Sequence, residues 1–276
     1  MNNIIIFATY WNEIDWVKPS LEQIDRINPV EIVICDGCFD PVQPNYSTDG
    51  TREIIEKFVA ERDNARMVSA LRRSKIESII SLLKGNSKSK SCNMLKPSRW
   101  LTALTSARKN VYRLNQAITF NYMISLSRFW EPGRWFMAYD ADQFYSDEMI
   151  NEFSVTNEDS DYGLLTGKEL TFFEDFTTYT GEYEKREYNN MPHRIYSNTM
   201  IKPTRDQILE TFFARKKYVE AVRSKETGLY FHYKFNSPRF QKGYELGDRK
   251  KPDISRYAHK EFKGEHPAVI RKYFMD

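Results

Sequence analysis

The feature that most constrains the fold is an alternation of two periodicities over residues 1–70. Ile4-Ile5-Ile6-Phe7-Ala8 is a continuous β-prone apolar run, which suits a strand buried on both faces. Val17, Leu21, Ile24 and Ile27 then recur at helical spacing, with Pro19 expected in the first turn and Asn28-Pro29 as the stop. Glu31-Ile32-Val33-Ile34-Cys35 reads as a second strand ending in Asp36-Gly37. Ser47-Thr48-Asp49-Gly50-Thr51 opens a second helix, with Thr48 or Asp49 as N-cap and Ile54, Ile55, Phe58 and Val59 facing inward. Residues 65–70 read as a third strand. The order β-α-β-α-β predicts an α/β fold with a mostly parallel central sheet, right-handed crossovers and flanking helices.

Such sheets bind ligands beyond the carboxyl ends of their strands. Three polar segments fall there: Thr9-Tyr10-Trp11-Asn12-Glu13, Asp36-Gly37 and Asp140-Ala141-Asp142. The last follows the apolar run Trp135-Phe136-Met137-Ala138-Tyr139. Two carboxylates one residue apart at the end of a buried strand are costly without a counter-charge. A hard divalent cation that also takes phosphate oxygens offsets that cost. Asp-x-Asp alone is a weak motif; its weight comes from sharing one rim with the other two loops.

The remainder of the chain is less regular. Residues 71–83 read as helical, and the small, basic stretch 85–91 as a solvated loop. Val111, Leu114, Ile118, Tyr122 and Phe129 predict a long helix ending near Trp130. Residues 161–166 read as a strand with Gly167 as a turn, residues 194–196 as a short strand, and residues 206–223 as a helix. From Gly228 onward the chain is aromatic, basic and poorly periodic, and is expected to wrap the rest. No linker divides it, so a single domain over 1–276 is expected.

Apolar residues at 41% and aromatics at 14% supply a core and argue against global disorder. A net charge of +3 is too mild to indicate nucleic acid, but suits an anionic substrate or glancing contact with an acidic membrane surface. Cys35, Cys38 and Cys92 make no disulfide framework. The Cys35-x-x-Cys38 pair leads into a proline-rich loop rather than a helix, so inert thiols are expected. Without a signal peptide or a long apolar stretch, the expected location is cytoplasmic, with at most peripheral contact at the inner membrane surface.

Taken together, these segments resemble family 2 glycosyltransferases. Ile4-Ile5-Ile6-Phe7-Ala8-Thr9-Tyr10-Trp11-Asn12-Glu13 is similar to their opening strand and T-Y-N-E loop. Val33-Ile34-Cys35-Asp36-Gly37, continued after an insertion at 38–46 by Ser47-Thr48-Asp49-Gly50-Thr51, resembles their V-V-D-G-(G)-S-T-D-G-T segment. Asp140-Ala141-Asp142 stands where their D-x-D metal motif should. An arginine-asparagine element is present only loosely, as Arg113 and Asn115. The resemblance covers about the first 150 residues. It implies a GT-A fold, with a nucleotide-sugar-binding half over about 1–150 and an acceptor-binding half with a C-terminal wrap over about 151–276. It also implies Mn²⁺ or Mg²⁺, a UDP- or GDP-sugar donor, a glycan or lipid-linked acceptor, and inversion at the anomeric centre.

Inverting transfer needs a stabilised nucleoside diphosphate leaving group, an acceptor hydroxyl and a base. Asp142 is the first choice for the metal, with Asp140 on the ribose or on a metal-bound water. Asp36 would accept from the nucleotide base, or else cap a turn beside Gly37. Thr9, Tyr10 and Glu13 share that rim; Glu13 would hold ribose hydroxyls or complement the next helix. Arg113 completes the donor set. Asp175, with Glu174 beside it, is the expected general base, because Phe173 and Phe176 would hold the carboxyl in a poorly hydrated pocket; this also matches the family's Glu-Asp element. His232 is the expected metal-ligating histidine of the C-terminal half, with His266 second and a packed core histidine as the alternative. Two rival readings are a sugar nucleotidyltransferase and a non-catalytic carbohydrate- or nucleic-acid-binding module. The first should carry a glycine-rich, basic loop after its first strand, and residues 9–13 hold neither Gly nor Lys.

Overall fold

The computed structural model describes residues 2–41, 43–72, 115–116, 119–120, 122–130, 134–155, 164–173, 175–180, 199–201, 224–233, 236 and 259–275. The expectations for residues 73–83, 85–91, 194–196 and 206–223, and for Arg113 and Glu174, fall outside these.

The alternation at the start folds as its periodicities dictate. β1 (Asn2–Tyr10), α1 (Ile14–Ile27), β2 (Pro29–Asp36), α2 (Thr51–Ala60) and β3 (Ala65–Ser69) follow one another, and β4 (Trp135–Asp140) joins the other side of β1. β3, β2, β1 and β4 are all parallel. The α/β class with a parallel central sheet and flanking helices is thus what these residues adopt. Val17, Leu21, Ile24 and Ile27 of α1 are buried against one face, with Ile4, Ile6, Ile34 and Met137 beneath them. Ile5, Phe7, Val33, Phe136 and Ala138 make a second core on the other face, under Phe120 and Met123 of the helical residues between 115 and 126. Burying a side chain of this size contributes roughly 1.5–3 kcal/mol. The helix α1 begins earlier than expected, so Pro19 lies inside it and not in its first turn. Asn28 ends it in the left-handed conformation (φ 52°), a backbone state that asparagine tolerates.

Beyond β4 the sheet becomes mixed, with several antiparallel pairs and one further parallel pair. β5 (Gln143–Tyr145), α3 (Asp147–Val155), β6 (Leu164–Phe172), β7 (Thr178–Thr180), β8 (Thr199–Ile201), β9 (Ser224–His232) and β10 (Lys260–Glu261) follow, and α4 (Ala268–Phe274) closes the chain. The order is β10-β7-β6-β8-β4-β1-β2-β3, with β9 pairing both β5 and β6. One glycine reading needs correction, and a second glycine joins it. Gly167 is not a turn but lies within β6, and Gly228 lies within β9 with φ of 111°. Together they mark a bulge: Thr166 pairs with Glu226, but Lys168 pairs with Leu229, so β9 carries one residue more than β6. The glycines allow α3 to sit close. A Cβ at Gly167 would stand 2.7 Å from Met149 Sδ, and one at Gly228 would stand 2.9 Å from Ser146 Oγ. Ser146 caps α3 by accepting from Met149 N, and its Oγ also accepts from Leu229 N.

The C-terminal residues form a helix that weak periodicity hides, and it packs on α1. In α4, Phe274 packs on Trp16 of α1 (ring centroids 4.7 Å apart), and Lys272 pairs with Glu22 at 2.7 Å. No helix among the described residues is long and apolar enough to cross a membrane.

Gly228→Ala should destabilise the chain by about 1–3 kcal/mol, since it forces a positive φ on an L-residue and crowds the Ser146 cap. Urea unfolding measures this, and a change below about 0.5 kcal/mol would contradict the bulge geometry.

Candidate functional site

The rim is built by strand register. In the parallel pairs, Thr9 stands opposite Asp140 and Tyr10 opposite Asp36, so the carboxyl ends of β2, β1 and β4 finish level. Thr9 Oγ1 donates to Asp140 Oδ1 at 2.8 Å, fixing the first carboxylate of the Asp-x-Asp. Asp142 follows the turn, half-buried, where Tyr233 N donates to its backbone carbonyl at 2.9 Å. That bond and the β5–β9 pairing place His232 beside it: His232 Nε2 lies 3.7 Å from Asp142 Oδ2.

The other ring nitrogen of His232, Nδ1, lies 2.9 Å from Oε1 of Glu169, which also accepts from Thr171 Oγ1 at 3.1 Å. His232 and Glu169 are both buried. Burial works against the charged imidazole, but Asp142 and then Glu169 outweigh it, and the pKa is raised. Glu169 drew no attention in the sequence. Its signal was there: an acidic residue alternating with Leu170 and Phe172 in a β-rich stretch, where a buried carboxylate needs a partner.

The two loops that follow β1 and β2 are laced together. Asn12 N donates to Ser47 Oγ, Glu13 N to Thr51 Oγ1 and Ile14 N to Asp49 Oδ2, at 2.9–3.0 Å. Thr48 N returns a bond to Asn12 Oδ1 at 2.9 Å. Asp49 also accepts from Thr51 N at 3.0 Å, so one carboxylate serves the start of both α1 and α2, while Gly50 holds the N-cap position of α2. The motif split by the 38–46 insertion in sequence is therefore rejoined in space. The start of the 38–46 segment turns inward: Cys38, Phe39 and Asp40 are buried, and Asn115 Nδ2 holds the Phe39 carbonyl at 3.0 Å, whereas Pro41, Pro44 and Tyr46 are exposed. The Cys35 and Cys38 side chains are buried thiols, and burial pushes the Cys35 pKa up, which disfavours a reactive thiolate there.

Asp36 has no exposed surface. Its carboxylate accepts from Ser47 Oγ at 2.6 Å and from Arg52 at 3.2 Å. Burial raises its pKa, and the Ser47 bonds and Arg52 pull it part of the way back. This is the turn-organising alternative, and it commits the carboxylate expected to meet the nucleotide base. Tyr10 also departs from expectation: its hydroxyl lies 2.7 Å from Ser20 Oγ in the core under α1, which takes it off the rim. Glu13 is buried at the head of α1.

The surroundings expected for Asp175 are not those found. Phe173 is buried and Phe176 packs on Tyr233, but Asp175 itself is exposed. Its Oδ1 accepts from Thr177 N at 2.8 Å and from Thr178 N at 2.7 Å, closing the turn between β6 and β7. What little burial it has works upward, and the two N–H bonds outweigh it, so the carboxyl sits below its ordinary pKa. The flanking rings face the core, so they do not dry the carboxylate. His266 is likewise engaged. Its Nε2 donates to the Phe176 carbonyl at 2.8 Å, which leaves Nδ1 to accept from Tyr233 OH at 2.7 Å. With both nitrogens used within the aromatic cluster, it offers no metal donor.

Asp142 and His232 are the pair that could hold a cation. Their facing atoms are separated by about the span of two ligands on one ion, each at roughly 2.1 Å. Among the described residues no group of three potential ligands forms a cage. A Mg²⁺-type site completed by substrate phosphates and water does not need one.

No protein-family model matches the chain, and no curated protein matches it. Among solved structures it is similar to S. aureus TarS 1-349 in complex with UDP, at 13% identity and TM-score 0.43, over 84% of this chain and 60% of that one. It is similar to S. aureus TarS 1-349 in complex with UDP-GlcNAc at 14% identity and TM-score 0.44, over 85% of this chain and 59% of that one. A third such structure, S. aureus TarS, gives 13% identity and TM-score 0.41 over 84% and 37%. The chain thus spans 60% or less of the length of each of these proteins.

Burial lowers the His266 pKa, and the positive charge of Arg271 adds to this against the bond to the Phe176 carbonyl. A histidine with a lower pKa folded than unfolded binds fewer protons when folded. Its contribution to stability is therefore lost as pH falls below about 6.5. Urea unfolding at pH 7.5 and 5.5 should show a smaller acid-induced loss in His266→Gln than in the wild type. Equal losses would overturn the neutral, doubly bonded imidazole.

Proposed function

We propose that the chain is a glycosyltransferase that moves a sugar from a nucleoside diphosphate sugar to a hydroxyl acceptor, with Asp142 and His232 as protein ligands of a divalent cation. One observation carries the reading: a carboxylate and an imidazole face each other at 3.7 Å on the carboxyl rim of a parallel sheet. The resemblance of residues 4–13, 33–37 and 47–51 to family 2 glycosyltransferases agrees with it. Mn²⁺ or Mg²⁺ bound there would neutralise charge on the departing diphosphate.

The chain's own residues divide the remaining work. Thr9 holds Asp140 in place by its hydroxyl, so that carboxylate stays at the rim to accept from ribose hydroxyls or from a metal-bound water. The laced loops 12–14 and 47–51 give the donor a preorganised wall, which lowers the entropic cost of positioning. A carboxylate must take the acceptor proton, and inversion follows if it acts on the face opposite the leaving group. Glu174 and Asp175 are the segment's two carboxylates; Asp175 is the weaker base of its type because its pKa is lowered. The donor is a UDP- or GDP-sugar and the acceptor a glycan or lipid-linked hydroxyl.

The geometry disfavours the nucleotidyltransferase rival. A triphosphate cradle needs backbone N–H groups at the loop after β1 and the head of α1. Here the N–H groups of Asn12, Glu13 and Ile14 are already bonded to Ser47, Thr51 and Asp49.

The test is a panel of nucleotide sugars scored by nucleoside diphosphate release, with and without Mn²⁺. At least one donor should turn over with metal and stop in excess EDTA. Asp142→Asn should cut that turnover by about 100-fold or more while leaving the unfolding midpoint unchanged. Full activity in EDTA, or no effect of Asp142→Asn, would contradict the reading.

A further inference from the structure

Buried carboxylates in this chain have distinct partners. Glu31 meets Arg66 at 2.8 Å and Asp36 meets Arg52 at 3.2 Å, ion pairs that anchor the segments around β2. Glu169 instead meets an imidazole, and that imidazole is the one beside Asp142.

A neutral imidazole carries its hydrogen on one nitrogen and a lone pair on the other. A carboxylate only accepts. With Glu169 at 2.9 Å from Nδ1, the hydrogen of neutral His232 belongs on Nδ1, and the lone pair belongs on Nε2. Nε2 is the nitrogen that faces Asp142 Oδ2. We propose that Glu169 is a positioning residue: it fixes the orientation and tautomer of His232 so that Nε2 is presented, with Asp142, to a divalent cation. This rests on the metal site proposed above and adds a residue that never touches the ion. The arrangement matches the general pattern in which a ligating histidine donates its other N–H to a carboxylate.

Strand register places the pair. Residues 169 and 171 share one face of β6, and Thr171 stands opposite His232. That pairing exists only because β9 gains a residue across the bulge at Gly167 and Gly228. Without the bulge Phe231 would stand opposite Thr171, and His232 would turn to the other face of the sheet. Thr171 Oγ1, donating to the same Glu169 oxygen, keeps the carboxylate turned toward the ring.

The test uses the full chain and Mn²⁺ followed by electron paramagnetic resonance, alone and with inorganic pyrophosphate as the diphosphate probe. Glu169→Ala should weaken Mn²⁺ binding by about 10–100-fold. In a His232→Ala background the same change should cost nothing more, because its effect passes through the ring. Glu169→Gln keeps the volume and removes the charge; it should weaken binding several-fold, which guards against loss of fold in the alanine variant. Nitrogen-15 spectra of the metal-free protein, recorded above the pH at which His232 loses its second proton, should show the remaining hydrogen on Nδ1, and Glu169→Ala should lose that preference. A merely structural role would not produce the non-additivity or the change of tautomer. If His232→Ala weakens Mn²⁺ binding while both Glu169 variants bind as the wild type does, the positioning role is overturned and the metal site stands. If His232→Ala binds as the wild type does, the metal site fails and the positioning role with it.

Discussion

Much of this structure depends on the register of β1 with its two parallel neighbours. Thr9 opposite Asp140 and Tyr10 opposite Asp36 bring three strand ends to one level. A slip of one residue would send Ile4, Ile6 and Ala8 to the face that now buries Ile5 and Phe7. Both faces of β1 are fully buried, one under α1 and the other under Phe120 and Met123, so neither core tolerates the exchange easily. The same slip would part Thr9 from Asp140. Core packing and rim geometry are thus one constraint, which is why continuous apolar runs in sequence end in the polar residues of the rim.

The second half depends on a register error that is kept on purpose. The bulge across Gly167 and Gly228 costs pairing, and Gly228 adopts a backbone state that other L-residues disfavour. It brings His232 to the face of Glu169 and Thr171, and lets α3 approach β6 and β9 through Met149. The capping serine of α3 bonds Leu229 next to the bulge, so the helix, the bulge and the histidine hold one another.

How much of this was legible in the sequence varies with the kind of signal. Strands β1, β2 and β4 and helices α1 and α2 were legible because each buries a continuous run or one clean stripe. β9 was hidden because Gly228 is ordinarily a turn signal, and here it sits inside a strand. α4 was hidden because seven residues hold only two fully buried positions, Val269 and Ile270. At the rim, the strand-end position of Asp140 was legible from the apolar run before it, whereas the approach of His232 to Asp142 depends on the β5–β9 pairing, which the sequence does not announce. Tyr10 and Asp36 were named as donor contacts, yet the first lies in the core and the second is held by Ser47 and Arg52. One-dimensional order does not show which residue closes over a strand end, and here Ser47 closes over Asp36. Asp175 illustrates the same limit. Flanking phenylalanines suggest a dry pocket only if all three side chains share a direction, and in this turn the rings go inward while the carboxylate caps Thr177 and Thr178.

The placement of charge at the rim follows from what each group could do without a ligand. Asp36 is satisfied by the protein, with Ser47 donors and a guanidinium at contact distance, and so it stabilises the loop whether or not a substrate is present. Asp142 and His232 stand in a weaker relation, 3.7 Å apart, beyond hydrogen-bond length. Direct contact would give a tight ion pair and a stiffer rim. The imidazole is instead anchored on its far side, through Glu169, so its orientation is fixed without spending the nitrogen that faces Asp142. A fold that secures a histidine from behind leaves Nε2 turned toward Asp142. The spacing of the two side chains is set by the β5–β9 pairing and the bond from Tyr233 N to the Asp142 carbonyl, and it is this spacing on which the proposed cation, with phosphate ligands, depends.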